Sequence, residues 1–226
     1  MIIARYKEDI SWLKKYSLDF KIFIYNKGDY LTSPIGERII NLPNLGRESH
    51  TWLYHIVHNY KNLCENNIFL QGRIDDLGCL SFKNPYKYLE KINGKCFCAS
   101  RYGLLGPYHW KENIGIEKDI RYAKDWYDGK ITKPKKNFRN FAKDLFPEIP
   151  ILVATSYGGC FAVKKEAIQK YDINFYKELL NILSSSENPL EGHFMERLWC
   201  YMFSKNNNLK ISLLDVLKTK LEKVIQ

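Results

Sequence analysis

The chain has 226 residues, enough for one well-buried core and short for two, and its 45% hydrophobic content rules out a wholly disordered chain. No apolar run approaches the roughly 20 residues that span a bilayer. A net charge of +10 would suit nucleic acid, an anionic membrane surface or an acidic substrate, but the basic residues are scattered except for Lys133-Pro134-Lys135-Lys136 and the tail, and no nucleic-acid-binding motif accompanies them.

In chain order, Met1 to Arg5 reads as a short buried strand, too soon interrupted by charge to be a secretory signal, so the expected address is the cytoplasm. Asp9 to Tyr16 carries Ile10, Leu13 and Tyr16 at helical spacing. Phe20 to Tyr25 is a second strand, closed by the turn signal Asn26-Lys27-Gly28-Asp29. Arg38 to Leu42 is a third, ended by Pro43-Asn44. A long helix follows from Gly46 to Cys64, then a fourth strand from Asn67 to Gln71. Strands and helices alternating over short connections predict an α/β fold with a mostly parallel central sheet flanked by helices. The stretch from 73 to 150 is less regular, with a strand at Lys95 to Ala99, helix within Trp110 to Trp126 and an exposed basic loop at Lys130 to Asn137. Strands return at Ile149 to Thr155 and Gly159 to Val163, and helices at Lys164 to Lys170, Asn174 to Ser184 and Pro189 to Phe203. Leu213 to Ile225 is a basic amphipathic helix, suited to resting on an anionic membrane. No repeat or interdomain linker interrupts residues 1–226, so a single domain is expected. The six cysteines form no Cys-x-x-Cys pair and read as reduced, mostly buried thiols.

In an open parallel sheet, ligands bind beyond the carboxyl ends of the strands. That rule selects Arg5-Tyr6-Lys7, Asn26-Lys27-Gly28, Asn44 to His50, and Gln71 to Asp76. The entry to the long helix, Asn44-Leu45-Gly46-Arg47-Glu48-Ser49-His50, offers free N–H groups and a positive dipole end to an anion, with Arg47 as a fork for phosphate. The same residues also suit ordinary capping, Glu48 favouring the dipole. Asp75 and Asp76 could hold a divalent metal bridging a diphosphate, or could be plain turn residues. In Asn188-Pro189-Leu190-Glu191, Asn188 suits the N-cap, Pro189 the first helical position and Glu191 a capping box. His193, Glu196 and Arg197 then fall on one helix face, where a carboxylate flanked by His and Arg can act as a general base. A surface ion pair beside a satisfied histidine fits the same spacing. Gly158 and Gly159 permit close approach of backbone to a sugar, or simply a tight turn. Trp110, with Tyr102, Tyr108, Trp126 and Tyr127, could line an acceptor cleft or pack in the core. A phosphate-binding P-loop, a Gly-x-Gly-x-x-Gly and a Gly-x-Ser-x-Gly elbow are all absent.

Several phrases together resemble one family. They are Ala4-Arg5-Tyr6-x-Glu8-Asp9-x-x-Trp12-Leu13, Tyr25-Asn26-Lys27-Gly28, Pro43-Asn44-x-Gly46-Arg47-Glu48-x-His50-Thr51, Leu53-Tyr54-His55-Ile56, Phe69-Leu70-Gln71-Gly72 and Gly192-His193-x-x-Glu196-Arg197-Leu198-Trp199. They resemble the uncharacterised DUF3431 family, similar in layout to GT-A type glycosyltransferases. The resemblance implies a nucleotide-binding half over residues 1–72 and an acceptor half over 73–212, acting on a nucleotide-sugar donor and a glycan acceptor. By that layout Arg5, Asn26, Arg47 and His50 surround the nucleotide, with Tyr6, Lys27, Asn44 and Gly46 on the adjoining loops. Gln71-Gly72 takes the place of the usual Asp-x-Asp metal motif, and Glu196 that of the acceptor-activating base, with His193 beside it. Gly158, Gly159, Arg197 and Trp110 fall to the acceptor. A true Asp-x-Asp is missing, so manganese or magnesium is in doubt, and an arginine could neutralise the leaving diphosphate instead.

Overall fold

The computed structural model describes residues 1–37, 39–74, 82–93, 96–99, 102–110, 116–118 and 122–204. Asp75, Asp76 and the 213–226 helix expected from sequence lie outside them. The strands are β1 (Ile2–Arg5), β2 (Phe23–Asn26), β3 (Ile39–Asn41), β4 (Asn66–Gln71), β5 (Phe97–Ala99), β6 (Tyr102–Leu105), β7 (Val153–Ser156) and β8 (Phe161–Lys164). The helices are α1 (Arg47–Asn59), α2 (Tyr86–Ile92), α3 (Ala123–Tyr127), α4 (Phe138–Leu145), α5 (Lys165–Ile168), α6 (Ile173–Leu183) and α7 (Leu190–Phe203).

Six strands form one sheet in the order β3-β2-β1-β4-β8-β5, in which β3, β2, β1 and β4 run parallel and β8 is antiparallel to both neighbours. The expected α/β sheet, mostly parallel and flanked by helices, is what the chain builds. The antiparallel pair β6–β7 forms a second, two-stranded sheet.

Successive strand residues turn to opposite faces, and the two cores follow that alternation. Ile2, Tyr25, Phe69, Phe97, Phe161 and Val163 face the larger core, shared with Trp52 and Ile56 of α1, Leu179 of α6 and most of α7. Ile3, Ile24, Ile68, Leu70, Cys98 and Ala162 face the smaller one, closed by Leu13 and Tyr16 of a 3₁₀ helix and by Tyr88 and Ile92 of α2. Helix α7 is largely enclosed, and Phe194, Leu198, Trp199 and Phe203 are fully buried. Each such side chain contributes roughly 1.5–3 kcal/mol on leaving water.

Some sequence expectations shift. The helix read over Asp9 to Tyr16 is a 3₁₀ segment, Ser11–Tyr16, in a stretch where Asp9 first caps Ser11. Helix α1 stops at Asn59 and tightens into a 3₁₀ turn, Tyr60–Asn62, before Leu63 leaves the helical region. Asn188 does not cap α7: Pro189 occupies the N-cap, and the Asn188 side chain turns to the His193 ring.

At the carboxyl edge the parallel ladder continues past the strand ends. Lys27 N–H donates to the Arg5 carbonyl at 2.9 Å, Leu42 N–H to Asn26 at 2.8 Å, and Gly72 N–H to Ala4 at 2.7 Å. The loops after β1, β2, β3 and β4 therefore lie side by side. Among the described residues no helix is long and apolar enough to cross a membrane.

Candidate functional site

Arg5 and Asn26 form the floor of this edge. Arg5 Nη1 donates to Asn26 Oδ1 at 2.7 Å and to the Asp29 carbonyl at 3.0 Å, while its Nε donates to the Glu8 carbonyl at 3.0 Å. Asn26 Nδ2 reaches the Asp29 carbonyl at 3.0 Å and Asn41 Oδ1 at 3.1 Å. Both side chains are buried and tie the loops together. Lys27 crosses to the next loop, its Nζ donating at 2.5 Å to the carbonyls of both Leu45 and Arg47. Burial lowers its pKa to about 7, with Glu48 acting in the opposite direction.

Those carbonyls bracket the start of α1. Gly46 and Arg47 both adopt the left-handed region, at φ 58° and 53°. At Gly46 no side chain would fit, since a Cβ would stand 2.4 Å from the Leu183 carbonyl oxygen. Among the described residues, His50 is the first of the helix whose N–H finds a main-chain carbonyl, that of Gly46. The turn aims Arg47 at α7. Its Nη1 lies 2.9 Å from His193 Nδ1 and 2.8 Å from Nε2, near-equal distances that place the guanidinium over the ring face. Its Nε is 3.7 Å from Glu48 Oε2, and its head stands 5.8 Å from the Tyr122 ring centre. Burial works against the arginine's charge, but Glu48, Glu196 and Tyr122 outweigh it and hold the pKa above the ordinary value.

The turn between β7 and β8 closes the cluster. Gly158 N–H donates to Glu196 Oε1 at 2.8 Å. Gly159, at φ 66°, sits so close that an added Cβ would meet Glu48 Cγ and Oε1 at 3.1 Å and Gln71 Nε2 at 3.4 Å. Arg197 Nη1 donates to the His193 carbonyl at 2.8 Å and stands 3.8 Å from Glu196 Oε2. The side chains of Glu196 and Arg197 are each 15% exposed, shielded yet reachable. Two carboxylates and two guanidiniums from α1 and α7 thus meet around one double-glycine turn. Such an arrangement can bind an anion through the arginines and accept a proton at a carboxylate.

Beside it, a surface cleft of about 700 Å³ is lined by Tyr6, Lys7, Glu8, Asp9, Ser11, Trp12 and Arg73. The loop after β1 is held in shape there: Glu8 Oε2 accepts from the N–H groups of Tyr6 and Lys7, at 2.6 and 3.1 Å, and Trp12 Nε1 donates to the Gly72 carbonyl at 2.8 Å. Gln71 borders the ionic cluster and the next residue, Gly72, borders this cleft through Glu8.

Of the residues singled out from sequence, Arg47, Gln71, Gly158, Gly159, His193, Glu196 and Arg197 come together, and Tyr6 and Gly72 border the cleft. Asn44 lies half-buried in the turn before α1. His50 is buried, its Nδ1 without a partner, and burial together with Lys27 lowers its pKa to about 4. Trp110 is occupied by packing. Its indole donates to the Ile151 carbonyl, its ring stacks on Phe138 at 4.8 Å, and Arg139 covers it at 4.5 Å. Sequence reasoning took Glu48 only as a dipole partner and missed Tyr122, whose ring meets the His193 ring edge-on at 5.1 Å. A glutamate beside Arg47 was the available signal for the first; Tyr122 had none. Among the described residues no group of three or more His, Cys, Asp or Glu could hold a metal ion.

No curated protein and no solved structure matches the sequence. A family model described as "Protein of unknown function (DUF3431)" matches residues 1–212, and the chain belongs to that family.

Proposed function

We propose that the protein is a glycosyltransferase that moves a sugar from a nucleotide-sugar to a cell-surface glycan acceptor, with inversion at the anomeric carbon. The observation that carries this reading is the convergence of Arg47, Glu48, His193, Glu196 and Arg197 at the carboxyl edge of the sheet, next to a cleft built by the loops after β1 and β4. The cleft takes the nucleoside, and the α1 start with Arg47 takes the diphosphate. Glu196 Oε1 is occupied by Gly158 N–H, which leaves Oε2 to receive the acceptor proton. The acceptor oxygen then bonds to the anomeric carbon as the carbon–oxygen bond to the diphosphate breaks, its electron pair passing to the phosphate oxygen. Arg47 meets that developing charge, a role a divalent metal would otherwise share. The basic 213–226 segment would hold the enzyme at the cytoplasmic membrane face, where lipid-linked acceptors reside; liposome flotation without binding removes that part.

The test is a panel of nucleotide-sugars, with and without manganese, incubated with the wild type and Glu196→Gln. Turnover of one donor, lost in the variant while donor binding survives, supports the reading. Binding without turnover by the wild type makes the protein a nucleotide- or glycan-binding domain, and a product mass not matching a sugar makes it a transferase of another group.

A further inference from the structure

Arg47 is held in a backbone conformation that a non-glycine residue adopts at a cost of about 1–2 kcal/mol. It follows Gly46, also left-handed, so the chain takes two such steps in succession at the N-cap and first residue of α1. The surroundings must impose this. Gly46 N–H donates to the Ser186 carbonyl at 2.9 Å, which fixes one side. On the other, the Lys27 amino group spans the step, donating to Leu45 before it and to Arg47 itself. Two carbonyls only two residues apart converge on one amine because the chain between them is bent back on itself.

We propose that Lys27 is a positioning residue: by clamping the Leu45 and Arg47 carbonyls it keeps Arg47 left-handed and its guanidinium over His193, between Glu48 and Glu196. The sequence places Lys27 among donor-binding residues because it lies in the loop that follows a parallel strand. The geometry turns its amine inward, onto protein carbonyls. Its contribution to any bound diphosphate is therefore delivered through Arg47. The functional half of this inference rests on the diphosphate reading given above; the geometric half does not.

Histidine-selective ¹⁵N NMR without ligand tests the geometric half. The Arg47→Ala protein supplies the His193 imidazole signal when no guanidinium covers the ring. Lys27→Met is expected to move that signal most of the way to the Arg47→Ala position, while Lys27→Arg, which keeps a charged donor, stays nearer the wild type. Lys27→Leu, which likewise has no donor, serves if the methionine variant fails to fold. A His193 signal left at its wild-type position in the neutral variant overturns the clamp. For the functional half, titration with uridine diphosphate and other nucleoside diphosphates is expected to weaken about tenfold in Lys27→Met, with no further loss when the change is added to Arg47→Ala. Additive losses would mean that Lys27 touches the ligand itself, and would overturn the positioning role. If the wild type binds no nucleoside diphosphate, the diphosphate reading falls and the NMR result alone decides the clamp.

Discussion

Two glycines with nearly the same backbone angle provide a calibrated test of how tightly the α1 entry is built. Gly46 and Gly129 have φ of 58° and 71°, so alanine at either pays the left-handed penalty of about 1–2 kcal/mol. At Gly129 an added Cβ meets nothing within 4 Å, and that penalty is the whole effect. At Gly46 the new carbon would stand 2.4 Å from the Leu183 carbonyl oxygen, 2.7 Å from His50 Cβ and 3.0 Å from Leu183 Cβ. A main-chain carbonyl at the end of α6 cannot swing aside as a flexible side chain can, so α1 and α6 must separate. Overpacking of this kind adds about 1–3 kcal/mol, giving a total near 2–5 kcal/mol. In a chain of this length each kcal/mol moves the melting temperature by roughly 2–4 °C. Urea and thermal unfolding of the two alanine variants should therefore separate them clearly, Gly46→Ala being the less stable by several degrees. Equal losses would refute the close packing of Gly46 against α6, and with it the fixed direction of Arg47.

Three further outcomes follow from the packing and charges of the same region. Burial lowers the pKa of His55 to about 3 and of His50 to about 4, below the unfolded value near 6.5. The unfolded chain then binds more protons between those values and 6.5, so stability is full above pH 6.5 and falls as pH drops toward 3, by on the order of 3–5 kcal/mol per histidine; urea midpoints unchanged between pH 7 and 4.5 would contradict this. Arg47→Lys should restore little of the nucleoside-diphosphate affinity lost in Arg47→Ala, about 100-fold by titration calorimetry, because a lysine has no planar fork. Gly159→Ala pushes on Glu48 and Gln71 and imposes a left-handed alanine, so it should lower turnover of a responsive donor at least tenfold; full turnover would show that Glu48 can give way freely.

Much of the sheet was legible because its strands carry the plainest signals. Ile2-Ile3, Phe23-Ile24-Tyr25 and Ile68-Phe69-Leu70 are short apolar runs ending at polar or glycine residues, and the crossover connections between them, through the 3₁₀ segment and α1, suit parallel pairing. The β6 strand was missed because Tyr102-Gly103-Leu104-Leu105 contains a glycine that weakens strand propensity; its place is set across the pair by Thr155 and Tyr157 packing on that glycine. Helix α4 was hidden within polar sequence, though Asn137 caps it and Phe138, Phe141 and Ala142 form its buried side. At the site, the helical spacing of His193, Glu196 and Arg197 gave one wall. The opposite wall depends on Arg47 taking a left-handed angle, which follows from Lys27, Leu183 and Ser186 and from nothing local in the sequence. Arg5 and Asn26 illustrate the reverse case: both were found at strand ends, but the structure uses them to brace loops.

At issue is whether one site holds a diphosphate on the α1 start with Glu196 facing the sugar. A crystal structure with a nucleoside diphosphate bound tests it most directly. Phosphate oxygens are expected within hydrogen-bond reach of Arg47 and the first α1 N–H groups, with the nucleoside in the cleft of Tyr6 and Trp12. A diphosphate bound elsewhere, with Arg47 still resting on His193 and untouched by ligand, would contradict it.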